Sequence, residues 1–200
     1  IDWEVEVYKK YAPTNLGCGY NVDGGISWFF QHVEMGIILE DDCVPARSFF
    51  PFMEKMLHKY ADQTEVMQVA GSRYDEEFKV DQVDYHFSKY GHITGWGSWA
   101  RAWKKMDIQM ARFNDFKKHL TTHNYYDSVS AKKYWLFKFQ REFDKSRKTS
   151  WGYAWQLALH ENQGLSIVPR KNLISNIGVV GTHSSSEQWY MFSEVDEGFE

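Results

Sequence analysis

Apolar and polar positions alternate in some stretches of the chain and recur at helical spacing in others, and this difference outlines the fold. Trp3-Glu4-Val5-Glu6-Val7-Tyr8 alternates with the period of a half-buried strand, and a turn-rich stretch from Ala12 to Gly19 follows. Asp23 to Val33 then places Ile26, Phe29, Phe30 and Val33 on one face of a helix. Gly36-Ile37-Ile38-Leu39 is a short, continuously apolar run, the pattern of a buried parallel strand, and it ends in Glu40-Asp41-Asp42. Strand, helix and strand joined by short connections predict a right-handed crossover and a parallel sheet.

Beyond the acids, Pro45 can open a helix whose broad apolar face carries Phe49, Phe50, Phe52, Met53, Met56, Leu57 and Tyr60. Val66 to Ala70 reads as a strand closed by Gly71, residues 72–94 are irregular with a short strand at Tyr85-His86-Phe87, and Gly95 to Met106 is Trp-rich and expected to be helical. Two helices are expected at about 131–147 and 151–162, a last strand at Ser166-Ile167-Val168, and mostly loop from Asn172 onward. Without repeats or a low-complexity linker, residues 1–200 read as one α/β domain. Because strand-like sequence begins almost at Ile1, the chain is expected to begin partway through a domain.

Composition narrows the class. A hydrophobic share of 43% and a charged share of 25% suit a globular domain, and nine Trp exceed ordinary packing needs, as in sites for flat or ring-shaped ligands. The formal net charge of −4 and the scattered Lys and Arg disfavour nucleic acid as a partner. Cys18 and Cys43 are too few for a disulfide scaffold, so reduced thiols in a cytoplasmic setting are expected. No run approaches the roughly 20 apolar residues of a membrane span, although contact with the inner membrane face is compatible with the pattern.

Three consecutive acids repel one another, and a fold accepts that repulsion most readily where a cation neutralises it. Carboxylate oxygens suit Mg²⁺ or Mn²⁺, whose shells are completed by water and phosphate oxygens. In strand geometry Glu40 and Asp42 would share one face and Asp41 the other. The plainer alternative is a solvated acidic loop. Placement at the carboxyl end of a strand, where open α/β sheets bind ligands, favours the site.

Taken together, Asn15-Leu16-Gly17-Cys18-Gly19, Ile26-Ser27-Trp28-Phe29-Phe30, Gly36 through Pro45 and Ser48-Phe49-Phe50 resemble bacterial nucleotide-diphospho-sugar transferases of the hemolytic-protein-like family. The resemblance continues through Gly95-Trp96-Gly97-Ser98-Trp99, Arg101-Ala102-Trp103, Ser150-Trp151, Ile167-Val168-Pro169, Asn172 to Gly178 and Thr182-His183, covering nearly the whole chain. It extends more remotely to N-acetylglucosaminyltransferase I. The resemblance implies a GT-A fold, a Rossmann-like mixed sheet flanked by helices, and that its first strand and helix are the part missing here. It assigns Asp42 to the metal, Asp41 to the ribose or a metal-bound water, and Glu40 to the donor sugar, with Trp96, Gly97 and Trp151 also on the donor side.

His183, in a late Gly-Thr-His-Ser loop, is the second metal candidate by resemblance; a lone loop His is otherwise simply solvated. Trp96 could equally pack on the sheet, with Arg101 snorkelling outward. Arg170 and Lys171 could meet phosphate, and Ser72 and Arg73 could line the cleft. Relatives carry an Asp, the best general-base candidate, between two aromatics; here Ser150-Trp151-Gly152-Tyr153-Ala154-Trp155 puts Gly152 there, leaving Asp75, Glu76 or water as substitutes.

The implied function is metal-dependent, inverting transfer of a sugar from a nucleotide-diphosphate sugar to a hydroxyl of a glycan or lipid-linked glycan, in surface-polysaccharide synthesis. Two rivals stand beside it. One is a GT-A domain that binds nucleotide-sugar or glycan without catalysis. The other is a nucleotidyltransferase, which should show a Gly-rich triphosphate loop that this sequence lacks.

Overall fold

Every residue of Val66–Ala70 is buried, and this segment becomes the middle strand of a five-stranded sheet. The computed structural model describes residues 3–74, 83–120 and 125–178. In chain order the elements are α1 (Cys18–Phe29), β1 (Met35–Ile38), β2 (Cys43–Pro45), α2 (Phe49–Lys59), β3 (Val66–Ala70), β4 (Tyr85–Ser88) and β5 (Trp96–Trp99). They continue with α3 (Ala100–Trp103), α4 (Phe113–His119), α5 (Val129–Phe143), α6 (Trp151–Glu161), β6 (Leu165–Pro169) and β7 (Ile174–Asn176).

The sheet order is β1-β5-β3-β6-β4, and β2 and β7 form a separate two-stranded ribbon. Only β3 and β6 pair in parallel within the sheet; β5 runs antiparallel to both β1 and β3, and β4 antiparallel to β6. The architecture is therefore mixed α/β, a mixed sheet flanked by helices. β1 and β3 do point the same way, as the strand-helix-strand pattern implies. The antiparallel β5 lies between them, so the expected parallel neighbours are not adjacent.

Alternation along β5 explains the departure from the expected helix at Gly95–Met106. Trp96 and Trp99 point to opposite faces and join two separate apolar clusters. Gly97 leaves room for Leu57 of α2, whose methyls would lie 3.2 and 3.3 Å from any Cβ placed there. Only Ala100–Trp103 is helical, and its Arg101 does not snorkel outward. Its guanidinium turns back onto the carbonyls of Tyr60, Ala61 and Val66 at 2.8 to 2.9 Å, closing the end of α2, while lying over the Trp99 ring.

The strand expected at Trp3–Tyr8 does not form; these residues are exposed, and the segment continues along α1, with Tyr8 against His32 and the Lys10 ammonium donating to the Gly24 carbonyl at 2.6 Å. Pro45 ends the short β2 instead of opening a helix, because β2 pairs with β7, a strand the loop reading of 172 onward did not anticipate. α4 was likewise not expected from the pattern. Among the described residues no helix is long and apolar enough to cross a membrane.

α2 covers one face of the sheet with Phe49, Met53 and Leu57 against Val66, Val69 and Trp99. On the other face Ile26 of α1 and Trp155, Ala158 and Leu159 of α6 meet Met67 and Trp96. The far side of α6, with Ala154 and Leu157, buries against α4 and α5. α6 is thus wrapped on nearly all sides, which explains its almost continuously apolar sequence.

Candidate functional site: the acidic turn

β1 stops at Ile38, and Glu40 to Cys43 reverse direction in a turn closed by Cys43 N–H donating to the Glu40 carbonyl at 3.1 Å. The alternation of acid directions expected for a strand therefore does not apply. The turn is pinned on its far side, where Ile177 N–H donates to the Asp42 carbonyl at 2.8 Å and β2 pairs with β7. Gly178 lies so close that an added Cβ would come within 2.6 Å of Asp42 Oδ2. His183 follows that segment but lies outside the described residues, as do Thr182, Asp75 and Glu76.

Glu40 and Asp41 are exposed and Asp42 is half-buried. Glu40 is nevertheless pushed above the usual carboxylate range, first by partial desolvation and then by the charges of Asp42 and Asp41. Among the described residues none of the three acids has an ion-pair partner. Cys18, the first residue of α1, is close enough that Glu40 adds to the effect of burial in raising its thiol. The 12-residue helix α1 begins at this cysteine, and free amides at a helix N-terminus favour anions such as phosphate.

The donor set is all oxygen and uncompensated in charge, which fits a hard divalent cation such as Mn²⁺ or Mg²⁺. No preformed group of three or more ligating side chains exists among the described residues. Such ions take one or two protein carboxylates and complete their shell with phosphate and water, so Asp42 and Asp41 are the residues that would hold one here.

Trp96 pairs across from Ile38, two residues before Glu40, but its ring is fully buried. It stacks on Trp151 with centroids 5.6 Å apart and 20° between planes, and Trp103 and Trp155 complete the cluster. Its Nε1 has no hydrogen-bond partner among the described residues. Neither Trp96 nor Trp151 presents its ring to solvent, and Gly97 faces Leu57 in the core. Glu40, Asp41 and Asp42 share one turn by their order in the sequence, whereas Trp96, Trp151 and Gly97 lie in the packed interior.

Gly152 lies in the first turn of α6, where an added Cβ would meet the Cδ1 end of Ile93 at 2.7 Å. The segment is fixed by a residue that sequence reasoning missed. Glu142, buried near the end of α5, accepts from the amides of Thr149 at 2.8 Å and Ser150 at 3.0 Å, and from Lys145 at 2.6 Å. Burial alone would raise this carboxyl, but Lys145 and the two amides outweigh it and hold it below the usual range. Arg147, also missed, sets its guanidinium beside Gly17, the residue before α1. Its only signal is contact 132 residues away in sequence.

Ser72 and Arg73 are buried; Arg73 N–H donates to Asn172 Oδ1 at 3.1 Å and its guanidinium to the Arg170 carbonyl, so they brace the β3 end against the β6–β7 connection. Arg170 in turn donates its N–H to the Asp84 carbonyl at 2.9 Å, tying that connection to the start of β4, and Lys171 lies next to it in the same connection. Comparison with models of protein families and with curated proteins yields no match for this chain.

Proposed function

We propose that this chain is a metal-dependent glycosyltransferase of the GT-A type, taking its sugar from a nucleotide-diphosphate donor. The observation that supports the reading is the single turn at the end of β1 that carries three consecutive carboxylates with no counter-ion among the described residues. Asp42 would hold the divalent cation, with Asp41 beside it and His183 as a further candidate ligand. When bound, that cation offsets the charge that develops on a departing nucleoside diphosphate. The N-terminus of α1, with Arg147 beside Gly17, supplies oriented amides and a positive charge for the same diphosphate. Glu40, exposed in the same turn and pushed above the usual carboxylate range, would accept a hydrogen bond from the donor sugar.

By resemblance the transfer is inverting, onto a glycan or lipid-linked glycan, and a peripheral contact with a membrane that carries such an acceptor belongs to the same proposal. Isothermal titration with several nucleoside diphosphates, with and without Mn²⁺, tests it. Binding that requires the ion supports the reading, and ion-independent or absent binding overturns it. A second reading is favoured by Gly152: with no side chain at the expected base, the domain would bind nucleotide-sugar or glycan without turning it over. Product formation from a matched donor and acceptor separates the two.

A further inference from the structure

We infer that the cavity between α2 and the start of β4 is a binding site for a small anion with an apolar ring, an aromatic carboxylate. It lies at the opposite edge of the sheet from the acidic turn, because β1 and β4 are the two outer strands. The cavity measures about 280 Å³ and is lined by Ser48, Pro51, Phe52, Lys55, Lys59 and Tyr85, with Met56 and Asp84 completing it. That volume is slightly below the span of roughly 300–1,000 Å³ typical of drug-sized ligands, which fits a molecule built on one ring.

Three observations define the ligand's chemistry. First, Lys55 and Lys59 are one helical turn apart on α2, so both ammoniums stand over one side of the cavity. The Lys55 ammonium has no hydrogen-bond or ion-pair partner among the described residues, and Lys59 uses one N–H on the Tyr85 hydroxyl at 2.6 Å, keeping two. Second, Ser48 precedes α2 at a position where a serine hydroxyl ordinarily caps the helix, yet it makes no capping bond. The residue lines the cavity and is 6% exposed, and its Oγ is buried without a partner among the described residues, so rotation of this hydroxyl toward the cavity would offer it to a ligand oxygen. Third, Pro51, Phe52 and Met56 give the remaining wall an apolar surface that a bare inorganic anion would not use.

The Tyr85 hydroxyl is also 2.7 Å from Tyr60, so it is already held by two neighbours and serves as a fixed wall. Among the described residues Asp84 is the one acid lining the cavity, and its exposure lets the carboxylate turn to water. It opposes an anion, and removing it should therefore tighten binding.

Titration with benzoate, benzyl alcohol and inorganic phosphate, followed by amide NMR shifts, tests the assignment. Benzoate is expected to shift amides of Ser48–Lys59 and Tyr85 saturably, with benzyl alcohol and phosphate each weaker. Lys55→Gln and Lys59→Gln should each weaken benzoate by about tenfold, the loss of one charge-assisted contact. Asp84→Asn should strengthen it, while Asp42→Ala leaves it unchanged and so keeps this site distinct from the acidic turn. Both lysines are exposed, so their variants retain the fold. No saturable shift, equal binding of the neutral alcohol, equal binding of phosphate, or indifference to both lysine variants would each overturn the proposal.

Discussion

Glu142 and Glu40 are both carboxylates at the boundary of a secondary-structure element, and the fold treats them in opposite ways. Glu142, at the α5–α6 junction, is 2% exposed and receives Lys145 and two backbone amides, which together hold it in its charged form. Glu40, in the turn after β1, is exposed beside two further acids that push it the other way. The first cluster is neutralised by its own neighbours, and the second has no counter-ion among the described residues. Deleting the first should therefore destabilise the fold, and on the proposed function deleting the second should stop it binding.

The largest effect separates the two regions most directly. Asp42→Ala should abolish Mn²⁺-dependent nucleoside-diphosphate binding, a loss exceeding about 100-fold because even outer-shell partners of a metal are worth 10–100-fold. The melting temperature should not fall. Unchanged Mn²⁺-dependent affinity in the folded variant would remove Asp42 from the metal. Next in size, Gly152→Asp should raise the transfer rate by roughly 10²-fold or more, the usual contribution of a general base. Only the flexible end of Ile93 must shift to admit the side chain, and an acid in the first turn of α6 suits the helix dipole. Brisk transfer by the unmodified chain, with no gain from the Asp, would place the base elsewhere.

How much of this was legible differs by region for a physical reason. β3 over Val66–Ala70 was read with its observed bounds because a fully buried strand has an unmistakable apolar run. The acidic turn was legible because local sequence alone gathers its charges. Its turn geometry was not, since the ribbon of β2 and β7 that bends it comes from residues about 130 positions apart. β5 was misread because Trp-Gly-Ser-Trp carries no strand-forming run, and only its two neighbours in the sheet make it extended. Trp3–Tyr8 shows the converse, since strand alternation without a partner strand produces no strand. Glu142 and Arg147 were invisible because their partners are set by how α5 ends against α6 and α1.

On the buried side, Glu142→Gln should destabilise by about 2 kcal/mol, less than a fully buried ion pair because Lys145 is partly exposed. Thermal unfolding measures it, and a change near zero would show that the amides alone hold the junction. A pH titration probes the same region through His160. Gln156 donates its other amide N–H to the Lys89 carbonyl and accepts from Gly91 N–H, so its orientation is fixed and it donates to His160 Nε2 at 2.8 Å. The proton of the neutral ring is then on Nδ1, directed at Tyr126 Oη at 2.9 Å. Burial is the main cause that pushes this imidazole down to about 3. The unfolded chain binds a proton that the native state refuses, so stability is present above about pH 6.5 and lost as pH falls toward 3. The loss between pH 7 and 5 is roughly 2 kcal/mol, and His160→Gln should flatten it. An equally steep decline in that variant would assign the pH dependence to other groups.

The smallest effect bears on the exposed side of the comparison. If the acids of the turn are held together for a ligand, they strain the apo protein, and removing one charge should relieve that strain. Asp41→Asn, in a metal-free buffer at low salt, should raise the melting temperature by about 1 °C, a fraction of a kcal/mol for a chain of this size. Adding Mn²⁺ should reverse the order, because the ion stabilises only the form that binds it better. High salt should erase the apo difference, since exposed charges are screened over about 10 Å at 0.1 M. A variant less stable than the parent in metal-free, low-salt buffer would mean that Asp41 makes a structural contact. The acidic turn would then belong with Glu142, as a charge cluster the fold satisfies by itself.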